Sequence, residues 1–240
     1  MTIVSENNFK NKIEVIKSRL ESIKREMKAD IIVSEWMGYF LVYEGMLDTI
    51  IYARDKLMKP GGIICPNRCT MNIAGIDSQS FYDKHVTFWD NVYGYSMKSL
   101  KFECMSEPLV TVVPPESIIT SDGQVACFDI MTCTVDQVKS FSSDFSLKAK
   151  RNGTIHAIVG WFMTYFDHPK LTTKVELSTS PFDPSTHWKQ TTFFIKEPIV
   201  VKEGDCLEGR INVTRPKDSD RALRVELAFR GGLVQEYLLM

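Results

Sequence analysis

The apolar positions change their period about a quarter of the way along the chain, and the change divides the sequence into two kinds of structure. Ile13-Glu14-Val15-Ile16 reads as a short strand. Ala29 to Ser34 reads as a stronger one, because a β-branched apolar run closing on a polar residue suits a strand buried in a parallel sheet. From Glu44 to Met58 the apolar residues Met46, Leu47, Ile50, Ile51 and Leu57 recur at helical spacing. Lys59-Pro60-Gly61-Gly62 stops that helix, and Ile63-Ile64-Cys65 follows as another strand. Strand, strand, helix, strand is half of an α/β sheet.

Beyond Pro66 the helical signal fades and short strands with turn punctuation replace it. The pattern predicts strands at 70–76, 109–113, 125–131, 145–150, 155–166, 174–179, 188–195, 206–213 and 223–229, which imply a barrel or a sandwich. Between Asp77 and Ser106 the sequence is rich in aromatic and polar residues (Phe81, Tyr82, Phe88, Trp89, Tyr93, Tyr95) and lacks strand alternation. That stretch is either an excursion whose aromatic face meets a partner or a long loop folded back on the core. The division expected is 1–66 for the partial α/β domain and 67–240 for the β domain.

Composition narrows the classes. With 44% hydrophobic residues in 240, the chain can bury a sizeable core. Its 29 basic and 30 acidic residues give a formal charge of −1, without the basic surplus that holds nucleic acid independently of sequence. No stretch approaches the roughly 18 unbroken apolar residues of a membrane helix, and the first residues show no signal or transit pattern. A soluble intracellular protein is expected. The cysteines Cys65, Cys69, Cys104, Cys127, Cys133 and Cys206 show no C-x-x-C pairing, so no metal site is expected; the apolar settings of Cys127 and Cys206 predict reduced, buried thiols.

Two segments carry chemistry. In Ser34-Glu35-Trp36-Met37-Gly38-Tyr39-Phe40-Leu41-Val42-Tyr43-Glu44-Gly45-Met46, Glu35 lies just past the end of a predicted strand, where open α/β sheets gather ligands. Glu44 begins the following helix, and a hairpin between them would bring the two carboxylates together. Between Ile31 and Ala53 the acidic residues are Glu35, Glu44 and Asp48, with no lysine or arginine before Arg54. Two carboxylates in an aromatic pocket repel unless a cation joins them, and a planar guanidinium engages both best. The plainer readings, a helix N-terminal charge for Glu44 and an exposed loop residue for Glu35, stay open. The second segment is Pro184-Ser185-Thr186-His187-Trp188-Lys189-Gln190. Among the four histidines, His156 suits a core position, whereas His187 in its loop could orient a substrate or take a proton, or simply be a hydrogen-bonded loop residue.

Together these segments resemble the protein arginine methyltransferases. The family's double-glutamate hairpin is matched by Ser34 to Tyr39 and Tyr43 to Leu47, and its Thr-His-Trp loop by Thr186-His187-Trp188-Lys189-Gln190. Further matches are Ala53-Arg54-Asp55-Lys56, Phe88 to Gly94, Glu107-Pro108-Leu109-Val110, Lys150-Arg151-Asn152 and Phe182-Asp183-Pro184. The type I, asymmetric-dimethylating branch is the most similar. The resemblance implies the C-terminal half of a Rossmann-like S-adenosylmethionine-dependent methyltransferase domain followed by a β-barrel with a helical dimerisation arm at 77–106. It implies methyl transfer from S-adenosylmethionine to guanidino nitrogens of arginine in proteins such as histones and RNA-binding proteins, in the cytoplasm and nucleus.

On the same resemblance Glu35 and Glu44 would clamp the guanidinium and His187 would relay a proton. Glu21 and Met46 would contact the cofactor, Met37, Tyr39 and Trp188 would line the substrate side, and Pro66 would be a cis-proline between the domains. The arm implies a homodimer or heterodimer. The family's glycine-rich cofactor loop has no counterpart upstream of Glu21. The expectation is therefore an N-terminally truncated methyltransferase that alone binds S-adenosylmethionine weakly or not at all. The alternatives are a non-catalytic partner of a full-length methyltransferase and an interaction module built on the β domain.

Overall fold

A computed structural model describes residues 2–24 and 26–240. A short helix, α1 (Thr2–Glu6), and a 3-10 turn (Leu20–Ser22) precede β1 (Ala29–Val33). The strand expected at 13–16 does not form: Ile13, Val15 and Ile16 are 48%, 48% and 38% exposed. An apolar run becomes a strand only beside a hydrogen-bonding neighbour, and the first sheet has just two strands, β1 and β2 (Met58–Cys65), among the described residues. They are parallel, with Ile31, Ile32 and Val33 opposite Ile63, Ile64 and Cys65. Between them lies α2 (Leu47–Leu57), which buries Leu47, Ile50, Ile51 and Ala53. The helix ends where the proline and glycines predict. The strand nevertheless starts at Met58 and absorbs Lys59 to Gly62, helped by an irregularity in register between Ala29 and Ile31 and by the Lys59–Asp30 ion pair at 2.9 Å.

The parallel pair gives way to antiparallel structure at a cis peptide bond between Cys65 and Pro66. The next strand, β3 (Arg68–Ile76), leads into a helical excursion of α3 (Gln79–His85), a 3-10 turn and α4 (Lys98–Ser106). The strands β4 (Leu109–Thr111) and β5 (Gly123–Asp129), the short helix α5 (Val135–Lys139), and β6 (Ser140–Lys148) follow. The remaining strands are β7 (Gly153–Phe166), β8 (Val175–Ser178), β9 (Gln190–Val201), β10 (Cys206–Thr214), β11 (Leu223–Phe229) and β12 (Val234–Leu239). One sheet has the order β4-β9-β7-β3-β5 with β8 on β7, and the other has β12-β11-β10-β6.

The two sheets share a core. Phe193 of β9 meets Tyr237 of β12 edge to face at 5.1 Å, and the Tyr237 hydroxyl donates to the Phe194 carbonyl at 2.9 Å. Gln235 adds a second polar tie, donating to the same carbonyl and accepting from the Lys196 amide. Buried polar groups so satisfied fix which strand faces which, where apolar contact alone would tolerate slippage.

A smaller apolar cluster joins the helical excursion to the six-stranded sheet through Tyr82, Val86 and Met105, packed with Ile76, Trp161 and Phe194. Its root is held by buried His156, whose Nε2 lies 2.9 Å from Gln79 Oε1 and whose Nδ1 accepts from the Ser78 amide at 3.3 Å. Farther out, Tyr93 and Tyr95 are 91% and 73% exposed.

The cysteines are all free, but Cys127 and Cys206 are exposed, contrary to the expectation of burial. The cause at Cys127 is a bulge: Met71 and Asn72 face Ala126 and Gln124, so Val125 is an extra residue that shifts the alternation and turns Cys127 outward. Cys206 heads β10 at the end of its ladder opposite Lys148. Burial pushes the Cys65, Cys69 and Cys133 thiols up, away from the reactive thiolate form.

Candidate active site

The segment from Glu35 to Gly45 leaves the carboxyl end of β1 and turns back on itself. Its turn is closed by the Gly38 amide donating to the Leu41 carbonyl at 2.9 Å and the Tyr43 amide donating to the Tyr39 carbonyl at 3.3 Å. Phe40, Leu41 and Glu44 all adopt positive φ, at 46°, 63° and 76°. Such left-handed geometry costs non-glycine residues of order 1 kcal/mol each and persists only where the surroundings dictate it. Here they do. Trp36, Phe40, Leu41 and Val42 are all but fully buried, and a Cβ on Gly38 would come within 2.0 Å of the Tyr43 carbonyl oxygen.

The β unit supplies the template for that turn. Phe40 packs edge-on to Phe193 at 5.2 Å and occupies the space over Gly160, where any Cβ would sit 2.2 Å from its ring. Trp188 Nε1 donates to the Met37 carbonyl at 2.8 Å. The Glu44 amide donates to the Arg221 carbonyl at 2.9 Å, and a Cβ on Gly45 would lie 2.3 Å from the Asp220 carbonyl oxygen. The loop between β10 and β11 thus lies directly against the backbone of the turn.

The structure brings some of the predicted residues together and leaves others apart. Met37 and Trp188 are brought together by their hydrogen bond, both buried at 7% exposure, and the His187 ring lies against Trp188, tilted by 36° with centroids 3.8 Å apart. Tyr39 is partly exposed and stacks with Tyr43 at 6.1 Å. Glu21 and Met46 meet through Thr49: Thr49 Oγ1 donates to Glu21 Oε1 at 2.6 Å, while the Thr49 amide donates to the Met46 carbonyl at 3.1 Å. That hydroxyl is the main reason the Glu21 carboxyl is held below its ordinary range, keeping it an ionised acceptor. Glu35 is exposed and has no hydrogen-bond or ion-pair partner among the described residues. No contact joins His187 to either glutamate among the described residues.

Of the three acidic residues, Glu35 stays without a partner among the described residues, but Glu44 and Asp48 are not left unneutralised, as the local sequence suggested. Arg221 Nη2 donates to Glu44 Oε1 at 2.6 Å, from 177 residues away in sequence. Arg215 Nη1 lies 2.7 Å from Asp48 Oδ2, with Lys139 Nζ at 3.6 Å from the same oxygen. Glu44 also precedes α2 by three residues, which removes the simple helix-start reading of its charge. Sequence reasoning missed Arg215 and Arg221, because nothing local marks a residue whose partner arrives through sheet topology.

Two carboxylates thus lie on one turn, and one of them meets a guanidinium of the chain's own. An open carboxylate at Glu35 and one at Glu44 that already accepts a guanidinium flank a turn held rigid by the β unit. An ionised acceptor at Glu21 stands beside the first turn of α2, next to the exposed thioether residue Met46.

The chain is similar to known proteins over nearly its whole length. Residues 67–232 match the arginine methyltransferase oligomerization subdomain. Protein arginine N-methyltransferase 1 of Dictyostelium discoideum is 41% identical over 95% of this chain, which covers 66% of that protein. The Chlamydomonas reinhardtii protein of the same name is 37% identical over 97% of the chain and 68% of its own length. Against the Dictyostelium relative and the Saccharomyces cerevisiae one, the chain spans just under two thirds of the relative's length. A chain from a Trypanosoma brucei PRMT1 enzyme-prozyme heterotetrameric complex with AdoHcy superposes with a TM-score of 0.93 at 32% identity, over 100% of this chain and 77% of that one. Arabidopsis thaliana protein arginine methyltransferase 10 gives 0.85 at 26% identity, over 100% and 78%. A family pattern that covers residues 67–232 and relatives that match 95–97% of this chain at 36–41% identity lead to one assignment: the chain belongs to the protein arginine methyltransferase family.

Proposed function

We propose that this protein takes part in methyl transfer from S-adenosylmethionine to the guanidino nitrogens of arginine in protein substrates, with the Glu35–Glu44 turn as the guanidinium seat. The observation carrying the reading is the contact between Glu44 Oε1 and a guanidinium nitrogen at 2.6 Å, because it displays in this chain the recognition the substrate needs. In this reading residues 1–66 belong to the cofactor domain, 67–240 form the β-barrel substrate domain, and 77–106 form the dimerisation arm.

S-adenosylmethionine, when bound, supplies a methyl group on a positively charged sulfur. The Glu21 carboxylate, with its Thr49 partner, suits the adenine amino group, and Met46 lies on the same helical turn. The remaining work is positioning. Glu35 and Glu44 hold the substrate cation and stabilise it as it alkylates. Met37, Tyr39 and Trp188 line the substrate side, and His187, exposed above Trp188, accepts the proton that the guanidino nitrogen loses. The proposed substrates are arginines in glycine-rich basic tails, as in histones and RNA-binding proteins, and the proposed location is the cytoplasm and nucleus.

A second reading is that the chain serves as a non-catalytic partner of a full-length methyltransferase; the exposed Tyr93 and Tyr95 on the arm favour it, within the matched oligomerization subdomain. Transfer of labelled methyl groups to a glycine-arginine peptide, by this chain alone and mixed with a full-length relative, separates the two. In the first reading Glu44→Gln lowers turnover about a hundredfold or more. Turnover unaffected by that change, in a mixture that still co-purifies, establishes the second.

A further inference from the structure

The cation on Glu44 belongs to the chain itself, and its setting is that of an exchangeable group. The backbone around Arg221 is fixed: its carbonyl accepts the Glu44 amide, and Ser219 Oγ accepts from the Arg221 and Ala222 amides at 3.3 and 3.1 Å. The side chain is 67% exposed, and its only side-chain hydrogen bond among the described residues is to Glu44. The neighbouring Arg215 contrasts with it, at 5% exposure beneath the same loop. Two arginines of one loop therefore hold two carboxylates, Asp48 in the first turn of α2 and Glu44 on the turn before it, one pair built into the structure and the other open to solvent.

We infer that Arg221 is a resident guanidinium that occupies Glu44 in the free protein and is exchanged for the guanidinium of the substrate. The inference rests on the guanidinium-seat reading of the proposed function. It assigns Arg221 a role in setting substrate affinity. Replacing one charge-assisted bond by another of the same chemistry costs little, so the seat stays in its binding shape, with Glu44 in its left-handed backbone conformation, until a substrate arrives. Substrate binding must then displace a competitor whose hold is that of a solvent-exposed pair, and its removal strengthens substrate binding by about two- to fivefold. A residue that merely supported the loop would have the opposite effect when removed.

The test is a titration of the chain with an acetylated Gly-Gly-Arg-Gly-Gly peptide, followed by NMR, with the citrulline peptide as control. The Arg221→Ala variant should bind the arginine peptide about two- to fivefold more tightly than the parent, with the thermal midpoint little changed. In a Glu44→Gln background the same substitution should give no gain, because the contested carboxylate is gone. Parent binding that is unchanged or weakened by Arg221→Ala overturns the inference alone. Absence of arginine-selective binding by both parent and variant overturns the guanidinium seat, and the inference with it.

Discussion

The ring of Phe40 fills the space that a side chain at position 160 would need: its Cε2 lies 2.2 Å from where a Cβ on Gly160 would stand. The glutamate-bearing turn is thus keyed into β7 by an absence of side chain, and glycine at 160 is a packing requirement more than a conformational one. Gly160→Ala should force Phe40 out of its edge-on contact with Phe193 and cost about 1–3 kcal/mol. At roughly 2–4 °C per kcal/mol for a chain of this size, calorimetry would register the change, and Phe40→Leu in the same background should recover part of it. An unshifted melting temperature in Gly160→Ala would show that the turn is not held by this contact.

Trp188 holds the same turn from the other side. Its Nε1–H on the Met37 carbonyl is buried, so Trp188→Phe keeps most of the apolar surface while leaving a buried carbonyl unsatisfied, at about 1–3 kcal/mol. The loss should be local. Amide exchange at Gly38 and Tyr43, whose bonds close the turn, should accelerate ahead of exchange in the ladder between β10 and β11. Uniform acceleration would assign Trp188 to global stability instead.

The parts of this site that could be read from the sequence are those whose partners lie nearby in the chain. The turn from Glu35 to Glu44 and the loop at His187 were recognisable as motifs, and β11 lies where its alternation places it, at Leu223–Phe229. What escaped depends on topology. Arg221 and Arg215 reach Glu44 and Asp48 across 177 and 167 residues, and only the pairing of β10 with β11 sets their loop beneath the turn. The residues of β12 follow a glycine pair and pass as a tail until β11 offers them a neighbour. Cys127 was misplaced because a single bulge at Val125 inverts a two-residue period. The strand expected at 13–16 failed for the converse reason: its composition suits a sheet, but no described strand lies beside it.

The passage from the parallel pair into the β unit carries an acid-sensitive anchor. Asp167, just past the end of β7, accepts from Arg68 Nη2 at 2.6 Å and Asn67 Nδ2 at 2.8 Å, and Arg68 stacks over Tyr165 at 3.6 Å. The Arg68 bond, chiefly, holds the Asp167 carboxyl below its ordinary value. A carboxylate with a lowered folded-state pKa binds its proton less readily when folded than when unfolded. Its stabilisation is therefore fully present above the unfolded value near pH 4 and is lost as pH falls through the lower folded one. Asp167→Asn should flatten that part of the acid-side decline in stability, measured by urea unfolding from about pH 6 to pH 2. A variant whose stability falls as steeply as the parent's over that range would show that Asp167 contributes nothing to the slope.

Asp48 and Glu44 lie four residues apart and each meets an arginine of the same loop, yet burial separates their energetics. Arg221 is 67% exposed, so deleting Glu44 frees a guanidinium that water solvates, and Glu44→Ala should cost less than about 1 kcal/mol. Arg215 is 5% exposed and its Nε has no hydrogen-bond partner, so deleting Asp48 strands a buried cation. Lys139, 3.6 Å from Asp48 but 43% exposed, is solvated by water and adds little to that cost. Asp48→Ala should therefore cost about 3 kcal/mol or more, and Asp48→Ala combined with Arg215→Met should recover much of it by removing the stranded charge. Urea unfolding of the three variants at neutral pH gives the comparison. Equal costs for Glu44→Ala and Asp48→Ala would mean that both pairs are equally hydrated, and would remove the distinction between a structural and an exchangeable arginine on which the role of Arg221 depends.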